Sequence, residues 1–564
     1  MAQSIVTLPS TPFDDPAHSR AMFPILTAAQ IDRIRPLGQV RNVKRGDILF
    51  DQGQVGIHLF VFLSGGMEIV QPDGDKERPV TYHRDPGEFT GEVSMISGRR
   101  CLVRGRVTED GEVIDVAPDG VQKIIQTDSE LSEIFMRAFI LRRVELIRLG
   151  FGDVVLLGSR HCSGTLRLRE FLSRNGHPYS YVDLDTDKAA QEILDRFGVT
   201  IHEIPVVICR GTTVLRNPSI QKLADCLGLN QAINPVQMRD VIVVGAGPSG
   251  LAAAVYAASE GLDVMVIENN APGGQAGSSS KIENYLGFPT GISGQELAGR
   301  AYTQAKKFGA DIFISRSATR LTCDRKPYVV ELDDGTKLSA RAIIIATGAQ
   351  YNKLKVSNLA LFEGTGVFYG ATYIESQLCE GEEIVVVGGG NSAGQAAVYL
   401  SQTAKKVHVL VRSAGLSDTM SRYLIRRIEE NPGIQLHPFT EITALDGDGQ
   451  LQRVTWQDKK SGKTETHNIR HVFLMTGASP RTEWLKDCVV MDERGFIKTG
   501  RDIAVEDLAS FKWPLERQPH LLETSLPGVF AVGDVRSGNV KRVASAVGEG
   551  SISVHLVHRV LQEQ

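Results

Sequence analysis

The sequence predicts a multidomain chain: a small all-β unit with helices, an α/β unit that begins as βαβ, and two further α/β units. Three observations predict it. Two glycine fingerprints, Gly245-x-Gly247-x-x-Gly250 and Gly388-x-Gly390-x-x-Ala393, each follow an apolar run and open an alanine-rich stretch, which is the strand–turn–helix setting that gives such glycines meaning. Short β-type runs at Ile48–Phe50, His58–Leu63, Met67–Val70 and Val80–Tyr82 are separated by Gly and Asp turns, the pattern of an all-β unit. An apolar run at Val154–Leu157 leads through a loop into a helix-forming stretch and a second run at Ser180–Asp183.

At 564 residues the chain should form three or four domains on the usual roughly 150 residues each. Hydrophobic content of 42% with 23% charge suits soluble globular units with real cores. A net charge of −4 without a Lys/Arg-rich block excludes a nucleic-acid binder. The first 20 residues lack a basic segment followed by an apolar one, so no secretory signal is expected. Val241–Ser259 is uncharged, but its central Gly-x-Gly-Pro-x-Gly reads as strand–loop–helix rather than a membrane span. A cytoplasmic protein without membrane contact is the expectation. Seven cysteines, Cys101, Cys162, Cys209, Cys226, Cys323, Cys379 and Cys488, show no CxxC and no metal-ligand spacing. They are expected to be reduced, most of them as small core residues, with no metal site.

Residues 1–150 come first. After a polar tail, Leu26–Leu37 reads as a short helix with a capping box from Thr27 and Gln30, and Leu131–Leu149 as a closing helix. Leu63-Ser64-Gly65-Gly66-Met67-Glu68 followed by Pro86-Gly87-Glu88-Phe89-Thr90-Gly91-Glu92 resembles the cyclic-nucleotide-binding β-roll of bacterial regulators and kinase regulatory subunits. The resemblance implies that Gly91 and Glu92 open a cassette whose glutamate holds a ribose hydroxyl, while an arginine about nine residues on clamps the cyclic phosphate. That place falls on Cys101, which offers no fork of positive charge; Arg100 is the cation that a small register shift would bring there. The β-roll is therefore either a cyclic-nucleotide site or a docking module with another ligand or none. A transcription regulator should continue into a helix-turn-helix, but the chain goes straight into Asp153–Leu157.

Residues 151–236 carry a loop, Gly158 to Thr165, ahead of a helix at Leu166–Arg174, then a helix at Lys188–Phe197, Ile204-Pro205, a strand at Val206–Cys209 and a helix at Ile220–Leu227. This resembles the thioredoxin/glutaredoxin fold, with Pro205 where that family carries its cis-proline. Cys162 matches the first active-site cysteine, and Thr165 stands at the second. A thiol at a helix N-terminus gains thiolate character, so Cys162 is a candidate for mixed-disulfide chemistry, but it cannot cycle an internal dithiol.

In residues 237–564, Gly245, Gly247 and Gly250 suit a loop that brings a pyrophosphate against a helix N-terminus, and Glu268, 23 positions beyond Gly245, suits ribose hydroxyls. Further on come Pro272-Gly273-Gly274-Gln275, Ile282-Glu283-Asn284-Tyr285, Ile345-Ala346-Thr347-Gly348-Ala349, Thr476-Gly477-Ala478 and Gly528-Val529-Phe530-Ala531-Val532-Gly533-Asp534. Their order resembles the thioredoxin-reductase branch of the two-dinucleotide flavoproteins, the class II pyridine nucleotide-disulfide oxidoreductases. The resemblance implies two Rossmann-like domains: an FAD-binding one from 237–354 and 486–564, and an NAD(P)-binding one inserted at 355–485. It implies a homodimer, Asp534 near the ribityl chain, Gln275 and Asn284 near the flavin, and further cofactor contacts from Gly274, Ala346, Thr347, Gly348, Gly533, Asn391 and Ser392. Adding the same 23 positions to Gly388 reaches Val411, not an acid, with Arg412 beside it, which favours NADPH over NADH. The family's further arginines are replaced by Ser413 and Ser417.

Where thioredoxin reductases carry Cys-Ala-Thr-Cys-Asp, this chain has Gly370-Ala371-Thr372-Tyr373-Ile374. Both thiols of dithiol exchange are missing, and Cys379 does not restore the spacing. Hydride transfer from nicotinamide to flavin does not need them. The expected activity is an FAD-dependent NAD(P)H oxidoreductase, regulated by its N-terminal units. Its electron acceptor, small-molecule or protein, would meet the flavin directly, and Tyr373 is the candidate to cover the flavin face. The alternatives are a nucleotide or redox sensor with little turnover, and a thioredoxin-type disulfide reductase working through Cys162.

Overall fold

The computed structural model describes residues 21–73, 76–92, 94–148, 153–187, 200, 203–210, 213–230, 232–485 and 487–563. The expected helix at Lys188–Phe197 lies outside them.

The first unit is a β-roll of two antiparallel sheets. One orders Gln39–Val43, Gly111–Val116 and Leu59–Phe62; the other orders Ile48–Phe50, Arg104–Glu109, Gly66–Asp73 and Lys76–His83. The strand Leu59–Phe62 is buried throughout and packs into a core with Phe89, Phe135 and Phe139. The capping box forms as expected, with Gln30 N–H donating to Thr27 Oγ1, but the α-helix covers only Ala28–Ile34 before a 3₁₀ turn at Arg35–Leu37. Pro36 sits in that turn, where its fixed φ and missing N–H do not extend an α-helix. Helices Pro118–Thr127 and Ser129–Arg148 close the roll.

The second unit is a four-stranded sheet ordered Thr213–Arg216, Val206–Cys209, Val154–Gly158, Ser180–Asp183. Its first two neighbours are antiparallel, and Val154–Gly158 pairs in parallel with Ser180–Asp183 across the helix Ser163–Arg174. The Ile204–Pro205 peptide is cis.

Two parallel sheets follow. In the larger, Asp311–Ile314, Val264–Glu268, Arg239–Val244, Lys337–Ile345 and Val529–Ala531 run parallel, and an antiparallel pair, Tyr328–Leu332 and Ala318–Thr322, extends it. The smaller orders Val367–Phe368, His471–Leu474, Glu383–Val387, Lys406–Leu410 and Ile434–His437, all parallel. The central strands read as continuous apolar runs because both faces are covered, one by helices and the other by Trp484 and Leu485 in the larger sheet and by Ile442, Val454 and Trp456 of an antiparallel ribbon in the smaller. The chain crosses between these sheets twice, and the crossings pair as a short ribbon, Ala349–Tyr351 against Ala478–Pro480.

One helix ties the units together. Ser163–Arg174 packs Leu166 against the core of the smaller sheet. At its other end Arg174 Nη2 donates to Gly274 O at 2.7 Å, and Asn175 Nδ2 to Asn270 O at 3.2 Å. From the β-roll, Arg99 Nη1 donates to Asn175 O at 2.6 Å and Arg143 Nη2 to Gly176 O at 3.0 Å.

The cysteines correct one expectation. Cys101, Cys209 and Cys379 are buried as expected, but Cys323 and Cys488 form a disulfide with Cα atoms 5.9 Å apart and 165 positions apart in sequence. Folding brings the end of Ala318–Thr322 against the segment that returns from the smaller sheet, a proximity that spacing does not reveal. A loop this long constrains the unfolded chain strongly, worth about 2–5 kcal/mol. Digestion of alkylated, unreduced protein is expected to give a Cys323–Cys488 cross-linked peptide, and the double variant C323S/C488S a lower thermal midpoint. Recovery of both cysteines as alkylated thiols would contradict the pairing.

Candidate functional site: two dinucleotide cradles

The first cradle forms where Arg239–Val244 ends and Pro248–Ser259 begins. Gly245 has φ 106°, and a Cβ there would stand 2.3 Å from Ala346 O. A Cβ on Gly250 would stand 1.9 Å from Gly245 O, so two of the three glycines are required by packing alone. Gly247 has no atom closer than Gly274 Cα at 4.0 Å from its would-be Cβ. The open face of the loop lies there, at the N-terminus of a 12-residue helix. Such a face accepts a pyrophosphate through free amides and the helix dipole.

Glu268 ends the next strand, 7% exposed, accepting from Ala246 N at 2.8 Å and Asn270 N at 2.9 Å. These two bonds aim the carboxylate and leave lone pairs for a diol. Gly274, with φ 54°, passes Gly247, and Gln275 Nε2 donates to Ala349 O at 2.7 Å. Ala346 is buried, Thr347 Oγ1 donates to Arg481 O at 2.9 Å, and Gly348 has open space around its Cβ direction. Gly533 N–H donates to Glu549 Oε2 at 2.7 Å, and Asp534 follows in the same turn. Burial pushes the Asp534 carboxyl up; Lys541 opposes this and Glu549 adds to it. Asn284 is exposed.

The second cradle repeats the first. Gly388, φ 145°, follows Glu383–Val387, and a Cβ there would meet Met475 O at 2.2 Å; Gly390 caps Asn391–Leu400 with nothing near its Cβ direction. Asn391 Oδ1 accepts from Ser421 N at 2.7 Å. Burial pushes the Tyr351 phenol of the crossing ribbon up; Ser392 opposes this and the Asp534 charge adds to it. Val411 is buried, while Arg412 is exposed and has no hydrogen-bond or ion-pair partner among the described residues.

Between the cradles lies the segment without thiols. A Cβ on Gly370 would sit 3.8 Å from Ser278 Cβ, beside the Gly274-Gln275 turn. Ala371 is buried, and Thr372 caps the helix Tyr373–Leu378 through a reciprocal box with Glu375. Burial raises the Glu375 carboxyl. Tyr373 is 68% exposed, its hydroxyl accepting from Gln377 Nε2 at 2.8 Å. The Cys379 thiol is buried, donates to Glu375 O at 3.1 Å and is pushed up to about 12 by desolvation, so it is a neutral core thiol.

In the β-roll, Glu92 is 5% exposed and faces Arg143 Nη1 at 3.7 Å. Cys101 is 1% exposed and its thiol is pushed up to about 12 by burial. Arg100 packs on the linker: a Cβ on Gly228 would meet its Nε at 2.3 Å. Gly91, φ 111°, is held against Phe139. The cation facing Glu92 is therefore Arg143, which sequence reasoning missed because it lies 51 positions further on, in the closing helix.

Residues 239–550 match the pyridine nucleotide-disulphide oxidoreductase family, and residues 40–128 match the cyclic nucleotide-binding domain. The chain belongs to the pyridine nucleotide-disulphide oxidoreductases. It is 32% identical over 325 residues to the thioredoxin reductase of Bacillus subtilis, covering 57% of this chain and 95% of that one. Among solved structures it is similar to thioredoxin reductase from Lactococcus lactis (27% identity, TM-score 0.52, 58% of this chain and 100% of that one). It is also similar to that from T. acidophilum (30%, TM-score 0.50, 57% and 98%). This oxidoreductase is thus an FAD-dependent enzyme of a family that uses FAD and NADPH, with a cyclic nucleotide-binding domain ahead of it. Among the described residues, no helix is long and apolar enough to cross a membrane.

The oxidoreductase's first cradle has the geometry a dinucleotide such as FAD requires: a glycine bed, a helix N-terminus and a buried carboxylate. Gly245→Ala is expected to lower bound flavin per protein by more than about tenfold, since the backbone strain alone costs on the order of 1–3 kcal/mol before the overlap with Ala346 O. Gly299→Ala, with nothing within 4 Å, should keep the yellow flavin bands. Equal flavin content in both variants would contradict the assignment.

Proposed function

We propose that this oxidoreductase passes a hydride from NADPH to FAD and then gives the electrons to an acceptor that meets the flavin directly, without a protein dithiol between them. The observation that carries this reading is the thiol-free segment Gly370–Tyr373 beside Ser278, with Cys379 buried and neutral behind it. When bound, FAD supplies the ring that accepts the hydride and releases the electrons. The chain's own residues bind and orient. Gly245, Gly247 and Gly250 take the pyrophosphate, Glu268 the ribose, and Ala346, Thr347, Gly348, Gly533 and Asp534 the flavin end, with Gly274, Gln275 and Asn284 along its other side. Gly388, Gly390, Asn391 and Ser392 take the nicotinamide nucleotide, and Arg412 pairs with its 2′-phosphate. Tyr373 controls access at the thiol-free face. Acceptor classes are a quinone, oxygen, a dye, an iron–sulfur partner or an external disulfide. A homodimer in the cytoplasm is part of the same reading.

The N-terminal units regulate this site through the helix Ser163–Arg174. Its Leu166 end touches the nicotinamide unit and its Arg174 end the Gly274 turn, while Arg99 and Arg143 hold it from the β-roll. In this reading a cyclic nucleotide or another ligand competing for Glu92 would release Arg143 and be felt at the flavin. A second reading, disulfide reduction through Cys162, is favoured by one observation. Cys162 opens on a cavity of about 490 Å³ shared with Pro205, Arg167, Asn217 and, from the nicotinamide unit, Glu363 and Gly364.

Mixed anaerobically with NADPH, the enzyme should lose its oxidised-flavin absorbance; a flavin that stays oxidised with both NADPH and NADH contradicts the proposal. Arg412→Ala should raise KM for NADPH roughly tenfold, as a charge-assisted bond worth about 1.5 kcal/mol is lost, and leave KM for NADH unchanged. A screen of acceptors with and without cyclic AMP should show a ligand-dependent rate, and C162S should keep full turnover. Loss of turnover in C162S would favour the second reading.

A further inference from the structure

The turn that borders the first cradle is held partly from outside the flavin unit. Gly274, with φ 54°, keeps its Cα 4.0 Å from where a Cβ on Gly247 would stand, so the turn passes the open face of the pyrophosphate loop. Within the flavin unit it is tied on either side of Gly274: Gly273 N–H donates to Ala246 O at 2.7 Å, and Gln275 Nε2 to Ala349 O at 2.7 Å. The carbonyl between those ties, Gly274 O, accepts from Arg174 Nη2 of the four-stranded unit at 2.7 Å.

Arg174 is the last residue of its helix, and its side chain is 14% exposed. Nη1 donates one turn back to Glu170 Oε1 at 3.3 Å, and Nη2 lies 3.9 Å from where a Cβ on Gly277 would stand. The planar fork therefore serves two acceptors at once: Glu170 orients it and Gly274 receives it. Glu170 also offsets the charge, so the influence of Arg174 runs through the turn. Two neighbouring bonds seat the same helix end without touching Gly274. Gln295 Nε2 donates to Ser173 O at 2.5 Å, and Asn175 Nδ2 to Asn270 O at 3.2 Å.

We propose that Arg174 is a positioning residue for the flavin cofactor: by holding Gly274 O, it fixes the turn beside the pyrophosphate loop and so tightens the binding of FAD. Residue 174 lies ahead of the stretch 239–550 shared with the family, so the fused unit supplies a part of the flavin site that the family fold does not contain. A charge-assisted bond in a largely buried place is strong enough to matter to affinity, because breaking it leaves both partners short of hydrogen bonds. The proposal rests on the reading that the first cradle holds FAD, and it names the atom through which the fused units reach that site. It is independent of the route by which electrons leave the flavin.

The test uses the full-chain holoenzyme, with the Kd for FAD read from the recovery of flavin fluorescence on dilution. Arg174→Met keeps the apolar stem and removes the donors; it should raise the Kd about tenfold, as for one lost charge-assisted bond. Arg174→Lys restores a donor on a similar stem and should bring the Kd back to within about threefold of wild type. Gln295→Ala loosens the same docking surface without touching the turn and should change the Kd by no more than about twofold. Arg174→Gln, which removes the charge and shortens the reach, reports the same loss where the methionine variant does not fold. A wild-type Kd in Arg174→Met or Arg174→Gln, or an equal loss in Gln295→Ala, overturns the proposal. Gly245→Ala, measured alongside, separates the two readings. A loss there with none at Arg174 overturns the role of Arg174 alone, and no loss in either overturns the cradle assignment as well.

Discussion

Two glycines, each pressed against the carbonyl that follows the neighbouring parallel strand, fix the geometry on which everything else in this enzyme depends. Gly245 lies under Ala346 O and Gly388 under Met475 O, both with positive φ. Any side chain at either place would push the loop off the adjacent strand and turn the helix N-terminus away from its ligand. The third fingerprint positions differ for a physical reason. A Cβ on Gly250 would strike Gly245 O, whereas at the matching place in the second cradle Ala393 fits, its Cβ 3.2 Å from where a Cβ on Gly388 would stand.

The ribbon Ala349–Tyr351 and Ala478–Pro480 joins the two cradle-bearing sheets, and both Ser392 and the charge of Asp534 are felt at Tyr351. The helix Ser163–Arg174 spans the same junction from outside. The arginines near the β-roll cassette are spent on this contact: Arg99 and Arg143 donate to the carbonyls at the helix C-terminus, where cations are favoured, and Arg100 packs on Gly228. Buried charges persist more readily when they are paired, and Glu92 faces Arg143 at 3.7 Å, although neither Glu92 oxygen accepts a hydrogen bond among the described residues. The fused units are thus in direct contact with the Gly274 turn.

How much of this is legible in the sequence follows from the range of each interaction. The cradles are local: glycine spacing, apolar strands and the acid at Glu268 lie within about 25 residues of one another and can be read directly. The strands Val206–Cys209 and Ser180–Asp183 and the helix Ile220–Leu227 match their apolar patterns residue for residue. Gln39–Val43, exposed at four of its five residues, carries no alternation that would reveal it as a strand. The partner of Glu92 and the disulfide Cys323–Cys488 are set by tertiary packing, and no spacing rule points to them. Glu375 is a further case, since its role as the cap of Thr372 becomes visible only once the helix Tyr373–Leu378 is seen to start there.

In the proposed route no protein dithiol stands between flavin and acceptor. A flavin alone takes up two electrons, while a flavin coupled to a disulfide takes up two more. The most direct measurement is an anaerobic titration of the enzyme, first reduced at its peripheral thiols and reoxidised at the flavin, with NADPH, following the flavin absorbance. The oxidised-flavin band should be lost completely after about one equivalent of NADPH per FAD. A requirement for about two equivalents, with a charge-transfer band between thiolate and flavin at the midpoint, would contradict that route.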